Sequence, residues 1–257
     1  MASLIAVQQQ GRVRRIVLNR PEKLNALTPA MEDQLVAEID AAASDENTVC
    51  VVLSGAGRAF CAGYDLDEIS GMPDIASAAA DLANSQRRIA RWMRIRNFPK
   101  PMIAQVHGYC IGVGNELISC CDLVICASNT RVGMPEVREF ALPPTLAYWP
   151  LILGPGRTKE LLFTGRLIDG AEAVRLGLAQ ALADDDALQS MVDGIAADIA
   201  TASPAALAVC KFAVNSWVDS AVASAIRHGS AFHSIYHQAV GADTNPYSRG
   251  TDGDRLP

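Results

Sequence analysis

The chain has 257 residues, of which half are hydrophobic and 19% are charged, and its formal net charge at pH 7 is -6. This length and composition are typical of one globular domain with a sizeable core, and the negative charge argues against a nucleic-acid-binding surface. The seven cysteines form no CxxC pair, so we predict neither a disulfide framework nor a metal site. The N-terminal apolar run is too short for a signal peptide, and no stretch has the length of a membrane span. We therefore expect a cytoplasmic protein.

Strand, loop and helix alternate through the first half of the chain, and helices dominate the second half. The strands are predicted as apolar runs bounded by turn residues, at residues 11–19, 49–53, 102–106 and 122–127. The helices are predicted at residues 28–43, 81–97, 112–121, 155–164, 170–176, 185–201 and 204–235. Thr28 and Pro29 have the form of an N-cap followed by proline at the first helical position. We expect a core over residues 1–185 and a helical region with an irregular tail over residues 186–257.

Two glycine-rich loops each follow a predicted buried strand. Residues 59–66 read Ala-Phe-Cys-Ala-Gly-Tyr-Asp-Leu, and residues 107–117 contain a Gly-Val-Gly turn where a helix begins. The first turn of a helix has N–H groups without partners and a positive dipole end, so it stabilises an oxygen that gains negative charge. The N–H of Tyr64 could supply a second donor to the same oxygen, which would make an oxyanion hole.

Two glutamates accompany these loops. Glu116 lies about one turn into the helix that opens at Gly112, and its side chain leans back toward the helix start. Glu136 returns to the same region after a predicted hairpin that turns at residues 128–129. A lone glutamate at either place would more often be a surface ion-pair partner, but two carboxyls beside an activated carbonyl can move protons. The joint pattern therefore favours acid–base chemistry.

The combined motifs resemble the crotonase (enoyl-CoA hydratase/isomerase) superfamily, from Ile16 to about Leu178. The resemblance implies an α/β fold, a spiral of ββα units with two roughly perpendicular sheets and a C-terminal helical trimerisation region. It implies that Tyr64 and Val113 donate the oxyanion-hole N–H groups and that Glu116 and Glu136 are the two catalytic glutamates of the hydratase branch. The positions that match segments lining coenzyme A in relatives are Lys23, Leu24, Ala26, Ala62, Asp65, Leu66 and Asp67.

Several positions depart from the family pattern. Val113 stands where many relatives have glycine, so we expect it to have a negative φ. Tyr64 replaces a commonly small residue and would narrow the acyl pocket or add a hydroxyl to it. Residues 139–150 look more like the branch that handles branched or carboxylated enoyl-CoAs. The tail after residue 241 shows no aromatic, lysine-bearing helix of the kind that helps relatives to bind CoA.

The resemblance implies a hydro-lyase of fatty acid metabolism that hydrates a 2-enoyl-CoA to a 3-hydroxyacyl-CoA. It needs no separate cofactor, because coenzyme A is part of the substrate, and it implies a homotrimer or a hexamer built from two trimers. The alternatives are an enoyl-CoA isomerase or an acyl-CoA thioester hydrolase on the same fold, or a non-catalytic acyl-CoA-binding homologue. An arginine-rich stretch at residues 87–96 is interpreted as a helix face, with attraction of the CoA phosphates as the alternative.

Overall fold

A computed structural model describes residues 3–70, 78–139 and 148–240. The strands of this part are β1 (Ile5–Gln10), β2 (Val13–Leu18), β3 (Cys50–Gly55), β4 (Met102–Val106), β5 (Tyr109–Ile111), β6 (Leu123–Ala127), β7 (Arg131–Gly133), β8 (Ile168–Asp169) and β9 (Ala181–Ala183). The helices are α1 (Pro29–Ser44), α2 (Leu66–Ser70), α3 (Ala78–Arg96), α4 (Val113–Ser119), α5 (Glu136–Glu139), α6 (Trp149–Leu153), α7 (Pro155–Thr164), α8 (Gly170–Arg175), α9 (Leu188–Ala200) and α10 (Pro204–Val240). Most of the segment assigned to the branched or carboxylated branch, and the whole predicted irregular tail, lie outside the described residues.

Six strands form the larger sheet, in the order β1-β2-β3-β4-β6-β9. The β1 and β2 strands pair antiparallel, and the remaining neighbours pair parallel. The sheet is covered on both faces, as the apolar runs predicted. Alternate residues of β3 show this directly: Val51 and Leu53 belong to the core that includes α1, whereas Cys50 and Val52 pack in a cluster with α9.

The α1 helix begins as the sequence predicts. The side-chain oxygen of Thr28 accepts a hydrogen bond from the backbone N–H of Met31 at 3.2 Å, and Pro29 occupies the first helical position. This cap satisfies one of the N–H groups that a helix start leaves without a partner. One face of the helix packs into the core, where Met31, Leu35, Ile39 and Ala42 are all buried.

The second of the two sheets that the resemblance implies has three short strands, in the order β5-β7-β8, which the residue pattern itself did not predict. The chain does turn at residues 128–129, but the predicted hairpin is wrong. The β6 strand pairs with β4 in the large sheet, whereas β7 pairs parallel with β5 in the small one. The turn therefore carries the chain from one sheet to the other and brings Glu136 back toward the start of α4.

The C-terminal helices divide into one that covers the sheet and one that leaves apolar surface open. Leu188, Val192 and Ala196 of α9 are buried against β3, β4 and β6. The predicted division of the chain into a core and a helical region near residue 185 remains a prediction. The α10 helix runs for 37 residues and packs on α3. In the described ranges, no single helix is long and apolar enough to cross a membrane, and α9 with part of α10 passes that test only as a pair bent by 107°.

Asn25 ties the segment before α1 to the end of β3. It is fully buried, and its φ of 57° lies in the left-handed region that asparagine tolerates better than most residues. Its Oδ1 accepts from the N–H of Arg20 at 2.8 Å, while its Nδ2 donates to the carbonyls of Ala56 at 2.9 Å and Ala59 at 2.8 Å. One side chain thus satisfies three backbone groups.

We predict that Asn25→Ala lowers the free energy of unfolding by about 3 kcal/mol, because buried backbone groups lose their partners and alanine disfavours a positive φ. Urea denaturation monitored by circular dichroism measures the loss. Asn97→Ala, which removes an exposed asparagine, should change the same quantity by less than about 0.5 kcal/mol. Equal effects of the two substitutions would contradict the role assigned to Asn25.

Candidate active site

The two glycine-rich loops are joined by backbone hydrogen bonds. Cys61 and Cys110 form an isolated parallel bridge. The N–H of Cys61 donates to the carbonyl of Tyr109 at 3.0 Å, and the N–H of Ile111 donates to the carbonyl of Cys61 at 3.0 Å. The first loop is therefore held in register beside β5, and the start of α4 follows directly.

Glycines allow the loops to approach each other closely. A Cβ placed on Gly114 would lie 2.7 Å from the carbonyl oxygen of Cys61. A Cβ placed on Gly112, where φ is +56°, would lie 2.6 Å from Oε1 of Glu136 and 3.9 Å from the Cα of Gly63. A side chain at Gly114 would clash with the backbone of Cys61, and the backbone conformation of Gly112 favours glycine.

Within the described residues, two N–H groups at this junction donate no hydrogen bond. The bonds that flank Tyr64 are made by its neighbours: Leu27 donates to the carbonyl of Gly63, and Asp65 donates to that of Leu27, both at 2.8 Å. Val113 is the first residue of α4, where a helix has no internal acceptor. Neither the N–H of Tyr64 nor that of Val113 donates a hydrogen bond to any residue in the described ranges.

The predicted negative φ of Val113 is confirmed. In the described part of the chain, the non-glycine residues with positive φ are Leu24 and Asn25 alone. Val113 therefore has no backbone strain. The unusual backbone dihedral angles belong to the preceding residue, Gly112, with φ 56° and ψ -120°.

The structure brings both glutamates to this junction. The carboxyl of Glu136 lies beside Gly112, because a Cβ placed on that glycine would be 2.6 Å from Oε1 of Glu136. Glu116 is 7% exposed and lies in the first turn of α4, with its N–H bonded to the carbonyl of Gly112 at 3.2 Å. Burial raises the pKa of the Tyr64 phenol, and the negative charges of Glu32 and Glu116 raise it further.

The positions matched to CoA-lining segments lie together, but several of their polar groups have local partners. Asp65 is buried, and its carboxyl pairs with Arg20 at 2.5 Å and accepts from the N–H of Asp67 at 3.0 Å. Burial opposes ionisation of Asp65, but the Arg20 guanidinium outweighs it and the pKa of the carboxyl is lowered. Lys23 and Asp67 form an exposed ion pair at 3.5 Å.

The remaining matched positions form the backbone of the same junction. The N–H of Ala62 donates to the carbonyl of Leu24 at 3.0 Å, and the carbonyl of Ala26 accepts from Arg20 at 3.2 Å. Leu66 begins α2.

Sequence reasoning missed the residues that surround the Tyr64 side chain. Glu32 in the first turn of α1 is buried, and Arg88 of α3 lies over the Tyr64 ring, with its Cζ 4.7 Å from the ring centroid. The arginine-rich stretch is more than a solvated face, because Arg91 pairs with Glu32 at 2.8 Å and Arg94 pairs with Asp40 at 2.5 Å. An acidic residue in the first turn of a helix is common, so the pattern gave no signal for Glu32.

The fold and the two-loop junction have counterparts among known proteins. The family model for enoyl-CoA hydratase/isomerase matches residues 8–241. The chain belongs to the enoyl-CoA hydratase/isomerase family. It is 35% identical over 225 residues to a probable enoyl-CoA hydratase of Rhizobium meliloti, and the aligned region covers 87% of this chain and 85% of that protein. It is also 35% identical over 216 residues to the 2,3-dehydroadipyl-CoA hydratase of Escherichia coli, covering 83% and 82% of the two chains.

A solved structure supports the same assignment. The crystal structure of a probable enoyl-CoA hydratase from Mycobacterium smegmatis superposes with a TM-score of 0.87 at 32% identity, covering 93% of this chain and 96% of the other. The predicted crotonase-type α/β fold is confirmed by this similarity. In this member of the enoyl-CoA hydratase/isomerase family, the junction of the two loops is the candidate active site.

We predict that Gly112→Ala lowers the free energy of unfolding by about 1 kcal/mol more than Gly11→Ala. Both glycines have positive φ, but Gly112 combines φ 56° with ψ -120° and has the Glu136 carboxyl beside it, whereas a Cβ on Gly11 would meet no atom within 4 Å. Urea denaturation of both variants measures the difference. Equal losses would contradict the strain assigned to an alanine at position 112.

Proposed function

We propose that this protein hydrates a 2-enoyl-CoA thioester to a 3-hydroxyacyl-CoA. The N–H groups of Tyr64 and Val113 bind the thioester oxygen, and Glu116 and Glu136 move the protons. One observation carries the proposal: two N–H groups that bond to no described residue lie on adjoining loops, with the Glu136 carboxyl beside Gly112 and Glu116 in the first turn of α4. Family membership supports it, since relatives of this family are named enoyl-CoA hydratases.

The chemistry follows from where charge develops. When water adds to Cβ, negative charge moves to the thioester oxygen, and each preorganised N–H donor there is worth about 3 kcal/mol at the transition state. A glutamate carboxylate accepts a proton from the attacking water as its oxygen bonds to Cβ. The glutamate pair then delivers a proton to Cα, so that the sum of the two steps is addition of one water. Two neighbouring carboxyls titrate as a pair, and the roles belong to the pair.

The proposed reaction needs no cofactor apart from the coenzyme A of its substrate. Addition of water transfers no electrons, so the reaction requires no redox group, and coenzyme A enters and leaves as part of the substrate and product. The exposed Lys23–Asp67 pair and the buried Asp65 lie on the segments that would border it. Location in the cytoplasm stays a prediction.

One assay separates the candidate activities. Loss of the conjugated-thioester absorbance of crotonyl-CoA reports hydration, and its appearance from a 3-enoyl-CoA reports isomerisation. Release of free thiol reports thioester hydrolysis, and tight binding of both compounds without any change would indicate a binding protein. Because one relative is named for 2,3-dehydroadipyl-CoA, that compound belongs in the substrate panel as an acyl group with a terminal carboxylate.

We predict that Glu116→Gln and Glu136→Gln each lower kcat for hydration by about 100-fold or more, because an amide cannot transfer the proton. Circular dichroism should show both variants folded. Glu38→Gln, in a pair with Arg14 far along α1, is the matched control and should keep wild-type turnover. Wild-type kcat in both active-site variants would exclude the proposed mechanism.

We also propose that the protein assembles as a homotrimer or as a pair of trimers. Large apolar side chains remain exposed along α10 in the single chain, namely Val209, Phe212, Val214, Trp217, Phe232 and Ile235. A helix that carries apolar residues on its outer face must bury them against a partner.

We predict that Phe212→Asp, at a side chain that is 75% exposed in the single chain, reduces the assembly to monomers. Light scattering on a size-exclusion column should give three or six times the 27.3 kDa chain mass for wild type and for Val7→Asp, a control on β1. A wild-type monomer at micromolar concentration would refute the assembly.

A further inference from the structure

The buried face of α3 is polar in its first half and apolar in its second half. Residues that are three or four positions apart lie on the same face of a helix. On this face Asp81 and Ser85 are each 4% exposed, whereas Trp92 and Ile95 are 1% and 0% exposed. Arg88 lies between the two halves and is half-buried. Burial of polar side chains costs free energy unless they have partners, so hydrophobic packing does not account for the polar half.

The hydroxyl of Ser85 is the clearest polar group on this face. Its Oγ is buried and makes no hydrogen bond to any residue in the described ranges. A serine inside a helix often donates to the carbonyl one turn back, but Ser85 does not. A buried hydroxyl of this kind can both donate and accept, and it gains a partner when a polar ligand lies beside it.

Arg88 lies one turn further along α3, at the edge of the candidate active site. Its Cζ is 4.7 Å from the centroid of the Tyr64 ring, and the Tyr64 N–H is one of the two proposed oxyanion-hole donors. A guanidinium has five N–H donors in a planar fork, which suits a carboxylate that accepts two parallel hydrogen bonds. Arg88 and Ser85 therefore offer an anionic group a charged donor and a neutral donor on one helix face.

The distance from the oxyanion hole to Arg88 suits a short acyl chain. Bond lengths put the amide nitrogen of a tyrosine at most about 5 Å from its ring centroid, so the Arg88 Cζ lies within about 10 Å of the Tyr64 nitrogen. An extended six-carbon acyl chain spans about 6 Å from its thioester carbon to its last carbon. With a hydrogen bond of about 3 Å at each end, a carboxylate on the last carbon reaches the guanidinium.

Neighbouring charges set the level at which an anionic group would fit. Asp81 lies on the same face and would repel a carboxylate, but it is seven residues from Arg88, about 10 Å along the helix axis. Arg91 pairs with Glu32 at 2.8 Å and with Asp33 at 2.7 Å, so its positive charge is shared between two carboxylates of α1. These contacts favour Arg88 as the cation that meets the end of the acyl chain.

We propose that this site is specific for 2-enoyl-CoA thioesters whose acyl chain ends in a carboxylate. Arg88 and Ser85 bind that carboxylate and are specificity-determining residues that take no part in proton transfer. A neutral chain would leave these polar groups without partners, which is how a polar pocket rejects an apolar analogue. This inference rests on the proposed function, because it assumes a thioester oxygen at the N–H groups of Tyr64 and Val113.

Two other roles for Arg88 make a different prediction. The guanidinium could attract the phosphates of coenzyme A, or it could serve only to hold the Tyr64 ring. In both cases the loss of Arg88 would affect every acyl-CoA to the same extent, because all of them share the CoA group and the same oxyanion hole. The ratio between an acidic and a neutral substrate therefore tests the carboxylate site by itself.

The experiment compares 2,3-dehydroadipyl-CoA with 2-hexenoyl-CoA, which have six-carbon acyl chains that end in a carboxylate and a methyl group. Wild type should show a kcat/KM at least about 10-fold higher for the acidic substrate. Arg88→Gln should lower the ratio of the two values by about 10-fold or more, and Ser85→Ala should lower it by about 3-fold. Arg88→Lys keeps the charge but loses the planar fork, so it should retain part of the preference.

Arg94→Gln is the matched control on the same helix. Arg94 is 62% exposed and pairs with Asp40, so its replacement should leave both kcat/KM values unchanged. Binding of the saturated analogues adipyl-CoA and hexanoyl-CoA, measured by isothermal titration calorimetry, provides a second ratio that requires no reaction. The ratio of the two Kd values should change in the same direction in each variant.

The outcomes separate this inference from the proposed function. Wild-type ratios near one, in both kcat/KM and Kd, would overturn the carboxylate site, as would equal losses for both substrates in Arg88→Gln. The wild-type ratios and Ser85→Ala decide the matter even if Arg88→Gln fails to fold. If wild type hydrates neither substrate, the hydratase proposal fails, while the Kd ratio of the saturated pair still supports or overturns the carboxylate site.

Discussion

The geometry of the site depends on the short parallel bridge between Cys61 and Cys110. Two backbone hydrogen bonds of 3.0 Å hold the loop after β3 beside β5. Since a parallel bridge sets register, it also fixes which residues follow on each side: Gly63 and Tyr64 on one loop, and Gly112 and Val113 on the other. The bridge uses the amides of Cys61 and Ile111 and leaves those of Tyr64 and Val113 available.

Burial makes most of the cysteines chemically inert. Cys50, Cys61, Cys110, Cys120, Cys121 and Cys126 are all buried. Burial raises the pKa of Cys50, Cys61 and Cys126 to about 12, so these thiols remain protonated and act as small hydrophobic side chains.

Long elements and the start of α1 could be predicted because their signals are local. Thr28 and Pro29 mark a helix start whatever the tertiary structure, and the apolar runs of β3 and β4 are long enough to indicate buried strands. The strands β5, β7 and β8 have three residues or fewer, too few to show a period of two. Their existence depends on partners far away in the chain, which is why the turn at residues 128–129 was misread as a hairpin.

The residues of the candidate site also divide into those with a local signal in the sequence and those that depend on distant partners. Tyr64, Val113, Glu116 and Glu136 could be selected from glycine turns and motif spacing, which the sequence displays. The buried Glu32 could not, because its partner Arg91 belongs to another helix, 59 residues away along the chain. Asn25 was likewise hidden, since two of its three hydrogen bonds reach Ala56 and Ala59 in the loop that follows β3.

The measurement that tests this account most directly is a crystal structure of the protein with butyryl-CoA bound. The account predicts that the thioester oxygen lies about 2.7–3.1 Å from both the Tyr64 and the Val113 amide nitrogens, the range expected of an oxyanion hole. Both the Glu116 and the Glu136 carboxyls should face the acyl Cα and Cβ atoms. A thioester oxygen bound elsewhere, or contacted by only one of the two amides, would contradict it.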